Sequence, residues 1–243
     1  MKTYKTYICI DDTDELGGEI STGEISENLR EYIQQNYAPC SLVTRHQLFL
    51  DDAIPYTSHN SSMCFTSQLN MVQKEAVIAY AIEHLQSVCA PSSQPGLCVG
   101  FEEELSDKMA LIRFGEDAKR KVLTKEEAYV MAQMQNLHLS EHKNGGQGII
   151  GALAGVGLRL QGNDGRVKGK IKVKSSSMSV KELLALEEIS AVCLSNHEIL
   201  PQDTMITIDS GLKTVWLNHQ PVLLVEKTEE GYIPLDRESL RHY

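Results

Sequence analysis

Three aspartates fall within four positions of the stretch CIDDTDELGGEIST, at Asp11, Asp12 and Asp14. Like charges this close repel one another unless something positive sits among them. They follow the apolar run Tyr7-Ile8-Cys9-Ile10, at the end of what reads as a buried strand. Carboxylates gathered at a strand end commonly hold Mg2+, a hard cation that keeps several waters and completes its shell with substrate phosphates. The alternative is an acidic turn whose side chains cap local amides. One aspartate serves such a turn and three are present, so the pattern points to a metal held by Asp11, Asp12 and Asp14. Ser21 and Thr22 then open a predicted helix, where unpaired N–H groups and the helix dipole favour phosphate. Gly17 and Gly18, in the GGE of 17–19, free the backbone for a close approach. A simple N-cap role for Ser21 accounts for the same residues. Gly145, Gly146, Gly148 and Gly151 lie in GGQGIIGALAG, which looks like a phosphate-cradling loop but lacks the Lys-Ser/Thr of a P-loop. Gly151, Ala152, Ala154 and Gly155 equally suit a helix that another element approaches closely, so packing and anion binding both stay open. His46 and His59 flank the 51–62 loop without HxH or HExxH spacing and read as surface or satisfied core residues.

The elements that must position these groups are legible in outline. Residues 4–10 read as a strand, and STGE at 21–24 is a capping box opening a helix with Ile25, Leu29, Tyr32 and Ile33 on one face. Strands are predicted at 41–50 and 63–69, and an amphipathic helix at 72–88. The proline- and serine-rich APSSQPG at 90–96 reads as a linker. Beyond it come a strand at 97–101, a capped helix at 124–137, and a glycine turn, small-residue helix and strand over 144–160. A strand is predicted over VKGKIKVK, a short helix at 179–189, and a mainly β end with a hairpin at 215–227.

Composition bounds the function. The 243 residues allow one large domain or two to three small ones, and 42% hydrophobic with 23% charged content is that of a soluble globular chain. A formal net charge of -10 argues against a general nucleic-acid coat, though Lys168, Lys170, Lys172 and Lys174 form a local basic patch that reads as one solvated strand face. No apolar run approaches the roughly 20 residues of a membrane span, and MKTYKTYICIDDTD lacks a signal-peptide pattern, which predicts a cytoplasmic protein. The six cysteines contain no CxxC pair, so a zinc ribbon is not indicated and reduced core residues are expected.

ICIDDTD, then Gly18 and Ser21-Thr22, resembles the N-terminal kinase-like domain of the archaeal isoleucine-tRNA 2-agmatinylcytidine synthetase family, which begins I-G-I-D-D-T-D followed by glycine and a Thr-Thr pair. RHQLFLDDAIPYTSHNSS resembles that family's next signature, an arginine and then N-x-x-I-P-W-K-T-R-G-N-G. QPGLCVGF and GGQGIIGALAGVG look like the start and core of its ferredoxin-like domain, so the resemblance covers roughly residues 5–173. It implies an α+β protein: a kinase-like α/β domain at 1–91 packed on a ferredoxin-like α+β domain at 92–174, with a mainly β extension at 175–243.

The resemblance implies an ATP- and Mg2+-dependent phosphoryl-transfer or ligase-type enzyme acting on a nucleoside, a small molecule or a partner-delivered tRNA. Asp11, Asp12 and Asp14 would be the metal ligands, and Ser21 would stand where the family's phosphorylated threonine stands, with Thr22 beside it. Gly17, Gly18, Gly145, Gly146, Gly148 and Gly151 would line the ATP and phosphate site, and Arg45, Thr57, His59 and Asn60 the substrate loop. Thr57 and His59 replace the family's lysine and arginine, and Asn60 and Ser62 replace its glycines. The loss of two cations leaves room for a non-catalytic nucleotide-binding or partner-binding module, or a tRNA-binding protein. Residues 174–243 are too few for the family's oligonucleotide-binding fold and zinc ribbon, so agmatinylation of tRNA by these residues alone is not expected.

Overall fold

A computed structural model describes residues 1–18, 20–54, 59–209 and 211–243. The chain divides into two compact units, Met1–Gln161 and Gly162–Tyr243. The first contains β1 (Tyr4–Asp11), α1 (Thr22–Asn36), β2 (Thr44–Gln47), β3 (Ser61–Leu69), α2 (Met71–Val88), β4 (Gly96–Phe101), α3 (Lys108–Ala118), α4 (Lys125–Met134), β5 (His138–Glu141) and α5 (Gly148–Gln161). Its sheet runs β5-β4-β1-β3-β2, and every neighbouring pair is antiparallel.

Strand alternation sends successive side chains to opposite faces, and here both faces are covered. Ile8, Ile10, Phe65, Leu97 and Val99 pack with Ile25, Leu29 and Ile33 of α1 and with Val77, Ala81 and Leu85 of α2. Tyr7, Cys9, Cys64 and Cys98 pack on the other face with Leu111 and Phe114 of α3 and Ile149, Ala152, Leu153 and Val156 of α5. The first unit is thus a three-layer arrangement with β1 at its centre. Double-sided burial explains why the β1 sequence is a continuous apolar run. Each such buried side chain contributes about 1.5–3 kcal/mol.

The second unit contains β6 (Arg166–Val167), β7 (Ser177–Ser179), α6 (Val180–Leu183), β8 (Ala191–Leu194), β9 (Met205–Thr207), β10 (Thr214–Leu217), β11 (Gln220–Thr228) and β12 (Gly231–Pro234). Its strands run β6-β10-β11-β12-β9-β7, with β8 parallel to β11. β10 and β11 form the expected hairpin through Asn218 and His219, at φ 49° and 61°, as a two-residue turn matching strand twist requires. On β11, Leu223 and Val225 face one core and Val222 and Leu224 another.

The mixed α+β class agrees with expectation. Several elements differ. VGLRL, read as a strand, continues α5 to Gln161. VKGKIKVK is a strand only at Val167, because the chain bends at Gly169 (φ 92°) and then meets Leu212 through a single bridge at Ile171. Helix α3 and strand β5 had no sequence reading; Gly115 lowers the helix propensity of α3 yet lets α5 approach, since an added Cβ would lie 2.8 Å from the Ala154 carbonyl oxygen. APSSQPG connects α2 to β4 inside the first unit. No described helix is long and apolar enough to cross a membrane.

Candidate functional site

The antiparallel register brings the C-terminal ends of β1, β2 and β5 and the N-terminal ends of β3 and β4 to one end of the first unit's sheet. Helices α1 and α5 start after the turns that leave β1 and β5. The DDTD turn, the 90–95 loop, the 142–147 turn and the paired Leu48 and Asn60 that follow β2 and precede β3 therefore gather where two helices present their N-termini. Asp11 is the last residue of β1, paired with Gly96. Asp12 turns the chain away at φ 52°, a conformation that aspartate and asparagine tolerate better than most residues. The Thr13 carbonyl accepts the Ala90 N–H at 3.1 Å, and an Asp14 carboxylate oxygen accepts the Thr22 N–H at 3.2 Å at the first turn of α1. The Thr13 hydroxyl is buried with no hydrogen-bond partner among the described residues, which is uncommon for a buried polar group.

Burial and mutual repulsion dominate the electrostatics of Asp11 and Asp12. Burial pushes the Asp11 carboxyl well above the usual range, with the Asp12 and Asp14 charges adding and the Asp12 backbone N–H opposing. Asp12 is raised to about 6 by burial and then by Asp14, against a hydrogen bond from the Gln94 backbone. The Cys89 thiol, raised to about 12 chiefly by burial, is lowered by Lys143 and raised by Asp12 and Asp14. Lys143 donates to the Cys89 carbonyl at 2.7 Å. Lys143 and the acidic turn thus both act on the Cys89 thiol, and Lys143 stands at a position that the motifs did not mark. Its one signal is its place just before the glycine turn, in KNGG.

That turn carries four consecutive positive φ values: Lys143 (56°), Asn144 (41°), Gly145 (94°) and Gly146 (58°). Asn144 Nδ2 holds it to the 90–95 loop by donating to the carbonyls of Pro91 (2.7 Å) and Ser93 (2.9 Å). Glu15 accepts from the Ser92 hydroxyl at 2.5 Å. The segment that reads as a linker is therefore a wall of the site. Gly148 and Gly151 serve close packing. A Cβ on Gly148 would lie 2.7 Å from the Asp11 carbonyl oxygen, and one on Gly151 would overlap the Asp11 carboxylate. Gly145 is exposed, Gly146 packs on Glu141, and Gly17 (φ 80°) with Gly18 closes a turn in which the Gly18 N–H reaches the Glu15 carbonyl at 3.0 Å.

Ser21 is the N-cap of α1 in a complete capping box: its hydroxyl donates to Glu24 at 2.6 Å and accepts the Glu24 N–H at 3.3 Å, while its own N–H donates to Glu24 at 2.9 Å. Thr22, in contrast, is buried. Arg45 Nε donates to the Ser61 hydroxyl at 2.8 Å, and Asn60 Nδ2 to the Phe49 carbonyl at 2.7 Å, closing the loop on which exposed His59 lies. Thr57 lies outside the described residues. Among the described residues no group of three or more His, Cys, Asp or Glu side chains is arranged to hold a metal ion, and the six cysteines are free. His46 is buried, 2.7 Å from the Thr44 hydroxyl, as a satisfied core residue.

This framework has counterparts among solved structures. An isoleucine-tRNA agmatidine synthetase, TiaS, in complex with its tRNA and ATP matches 82% of this chain and 50% of its own at 19% identity, with a TM-score of 0.56. Its complex with the same tRNA, an ATP analogue and agmatine matches the same shares at 17% identity and a TM-score of 0.54. A tRNA fluorescent labeling enzyme matches 63% of this chain and 36% of its own at 24% identity, with a TM-score of 0.53. The fold is shared. This chain spans about a third to a half of the length of those proteins. No family model matches the chain, and no curated protein matches it in sequence.

Proposed function

We propose that this chain is an ATP- and Mg2+-dependent phosphoryl-transfer or ligase-type enzyme acting on a nucleic-acid-borne acceptor, a tRNA delivered by a partner or a nucleoside in place of it. The observation that carries this reading is the excess negative charge at the end of β1, with Asp11 and Asp12 both holding protons above the carboxylate range, beside the first N–H groups of α1. The donor set fits a nucleotide-borne ion. Mg2+ binds through one or two carboxylates and completes its shell with phosphate oxygens and water, so a resident cage of three side chains is not required. When bound, the ion supplies charge neutralisation on the phosphates.

In this reading Asp12 and Asp14 hold the ion and Asp11, seated against Gly151, fixes the turn. Ser21 and Thr22 meet the phosphates at the helix start, Lys143 supplies a fixed cation, and Arg45, His59 and Asn60 face the acceptor. The shared fold with enzymes crystallised with ATP and an isoleucine tRNA supports the choice of substrate class. Asp12→Asn is expected to abolish Mg2+-dependent ATP turnover measured with γ-labelled ATP; unchanged turnover rejects the assignment. His59, standing where the family has an arginine, favours a second reading as a nucleotide-binding module. Binding of ATP with no turnover in the presence of tRNA would select it.

A further inference from the structure

The segment 168–174 carries four lysines and no acid. Between the lysines, Ile171 and Val173 turn inward onto the core of the second unit. Ile171 is pinned there by paired backbone hydrogen bonds with Leu212, 2.9 Å in each direction. Lys213 Nζ braces the preceding bend by donating to the Gly169 carbonyl at 2.7 Å. Inward apolar residues leave the alternating lysines outward: Lys170, Lys172 and Lys174 are exposed and Lys168 partly so. None of these four has an ion-pair, hydrogen-bond or ring partner among the described residues. Elsewhere lysines do find acids, as Lys5 and Lys108 find Glu102, and Lys121 finds Asp117. In a chain of net charge -10, a row of four unpaired ammonium groups on a pinned backbone is a concentrated exception.

We propose that Lys168, Lys170, Lys172 and Lys174 form a docking surface for the phosphate backbone of RNA, acting through charge and without base readout. The proposal rests on the reading that the first unit acts on a nucleic-acid acceptor. Lysine is a flexible point charge suited to phosphates and lacks the rigid planar fork with which arginine matches base edges. An anionic membrane surface fits less well, because the apolar residues that would anchor the segment in a bilayer face the protein core.

The test compares the full chain with Lys170→Ala/Lys172→Ala/Lys174→Ala, using unfractionated tRNA as the probe between about 50 and 200 mM salt. Each lost phosphate contact flattens the slope of log affinity against log salt by about 0.7–0.9. The triple variant is expected to bind at least about tenfold more weakly at the low-salt end, with a slope shallower by about 2–3, while its thermal melting and RNA-free ATP turnover stay as in the parent. An unchanged slope and affinity overturns the proposal, as does lysine-dependent binding to phosphatidylserine vesicles that outcompetes tRNA. Lysine-dependent tRNA binding in a parent chain that turns over no ATP upholds this surface and removes the catalytic reading alone.

Discussion

Asp12→Asn is the sharpest perturbation, because asparagine keeps the shape, tolerates the φ of 52° and still accepts the Gln94 N–H while losing the charge. The Asp12 carboxyl rises from 3.8 to about 6, through burial first and Asp14 second. An acid whose folded-state value is raised stabilises the fold fully below its unfolded value and loses that contribution as pH climbs through the folded one. Between about pH 4 and 6 the parent therefore loses stability, at about 1.36 kcal/mol per pH unit. The full loss comes to about 3 kcal/mol, or roughly 2 after solvent screening of a half-buried group. At pH 7.5 with a chelator present, Asp12→Asn is expected to melt about 4–8 °C higher, at about 2–4 °C per kcal/mol for a unit of this size. At pH 4 the two proteins are expected to melt together. Mg2+ with ATP is expected to raise the parent's melting temperature and leave the variant's almost unmoved. Calorimetry at both pH values reads all three outcomes. A variant equal to or less stable than the parent at pH 7.5 without divalent ions, or a gain of the same size at pH 4, refutes the claim that burial and Asp14 make the Asp12 charge costly.

Gly151→Ala places a Cβ on the Asp11 carboxylate and is expected to cost about 1–3 kcal/mol through overpacking; a melting curve identical to the parent's counts against the packing role. Ser21→Ala removes the α1 cap and is expected to cost about 1 kcal/mol, whereas Ser21→Asn restores the cap. Both are expected to lose incorporation of γ-phosphate label, and retained labelling in Ser21→Asn assigns Ser21 to capping alone. At the opposite end of the sheet, burial would raise Glu102, but hydrogen bonds from Lys108, Lys5 and Tyr7 bring it to about 2. Its contribution is present above its unfolded value of 4.5 and is lost as pH falls toward 2. Glu102→Gln is therefore expected to lose roughly 2 kcal/mol at pH 7 after screening, and to match the parent near pH 2 in urea titrations.

The readings that held are those carried by short windows of sequence. Capping boxes at Ser21 and Thr124 place α1 and α4 because the cap and its partner lie three residues apart, so the pattern is complete before any tertiary contact forms. The apolar run ending at Asp11 marks a strand buried on both faces, since a one-sided strand would alternate with polar residues. The hairpin at 214–228 follows from two apolar runs around a two-residue turn. The charge cluster itself is likewise local: three carboxylates so close in the chain must be close in space, whatever the fold.

What lies around that cluster was decided by the tertiary structure alone. Antiparallel pairing of β4 with β1 brings Ala90 and Gln94 to the DDTD turn across gaps of more than seventy residues, and nothing in a local window encodes such a meeting. The same cause hid the fate of 90–96: proline and serine mark irregular backbone, and only packing separates a site wall from a linker. For GGQGIIGALAG, sequence left packing and anion binding open. Asp11 against Gly151, and the Cys9 and Ser62 side chains 2.5 Å from where a Gly155 Cβ would stand, make the helix glycines packing positions. Glycine is chosen where a neighbour's atoms fill the place of a side chain, and which neighbour fills it is a property of the fold.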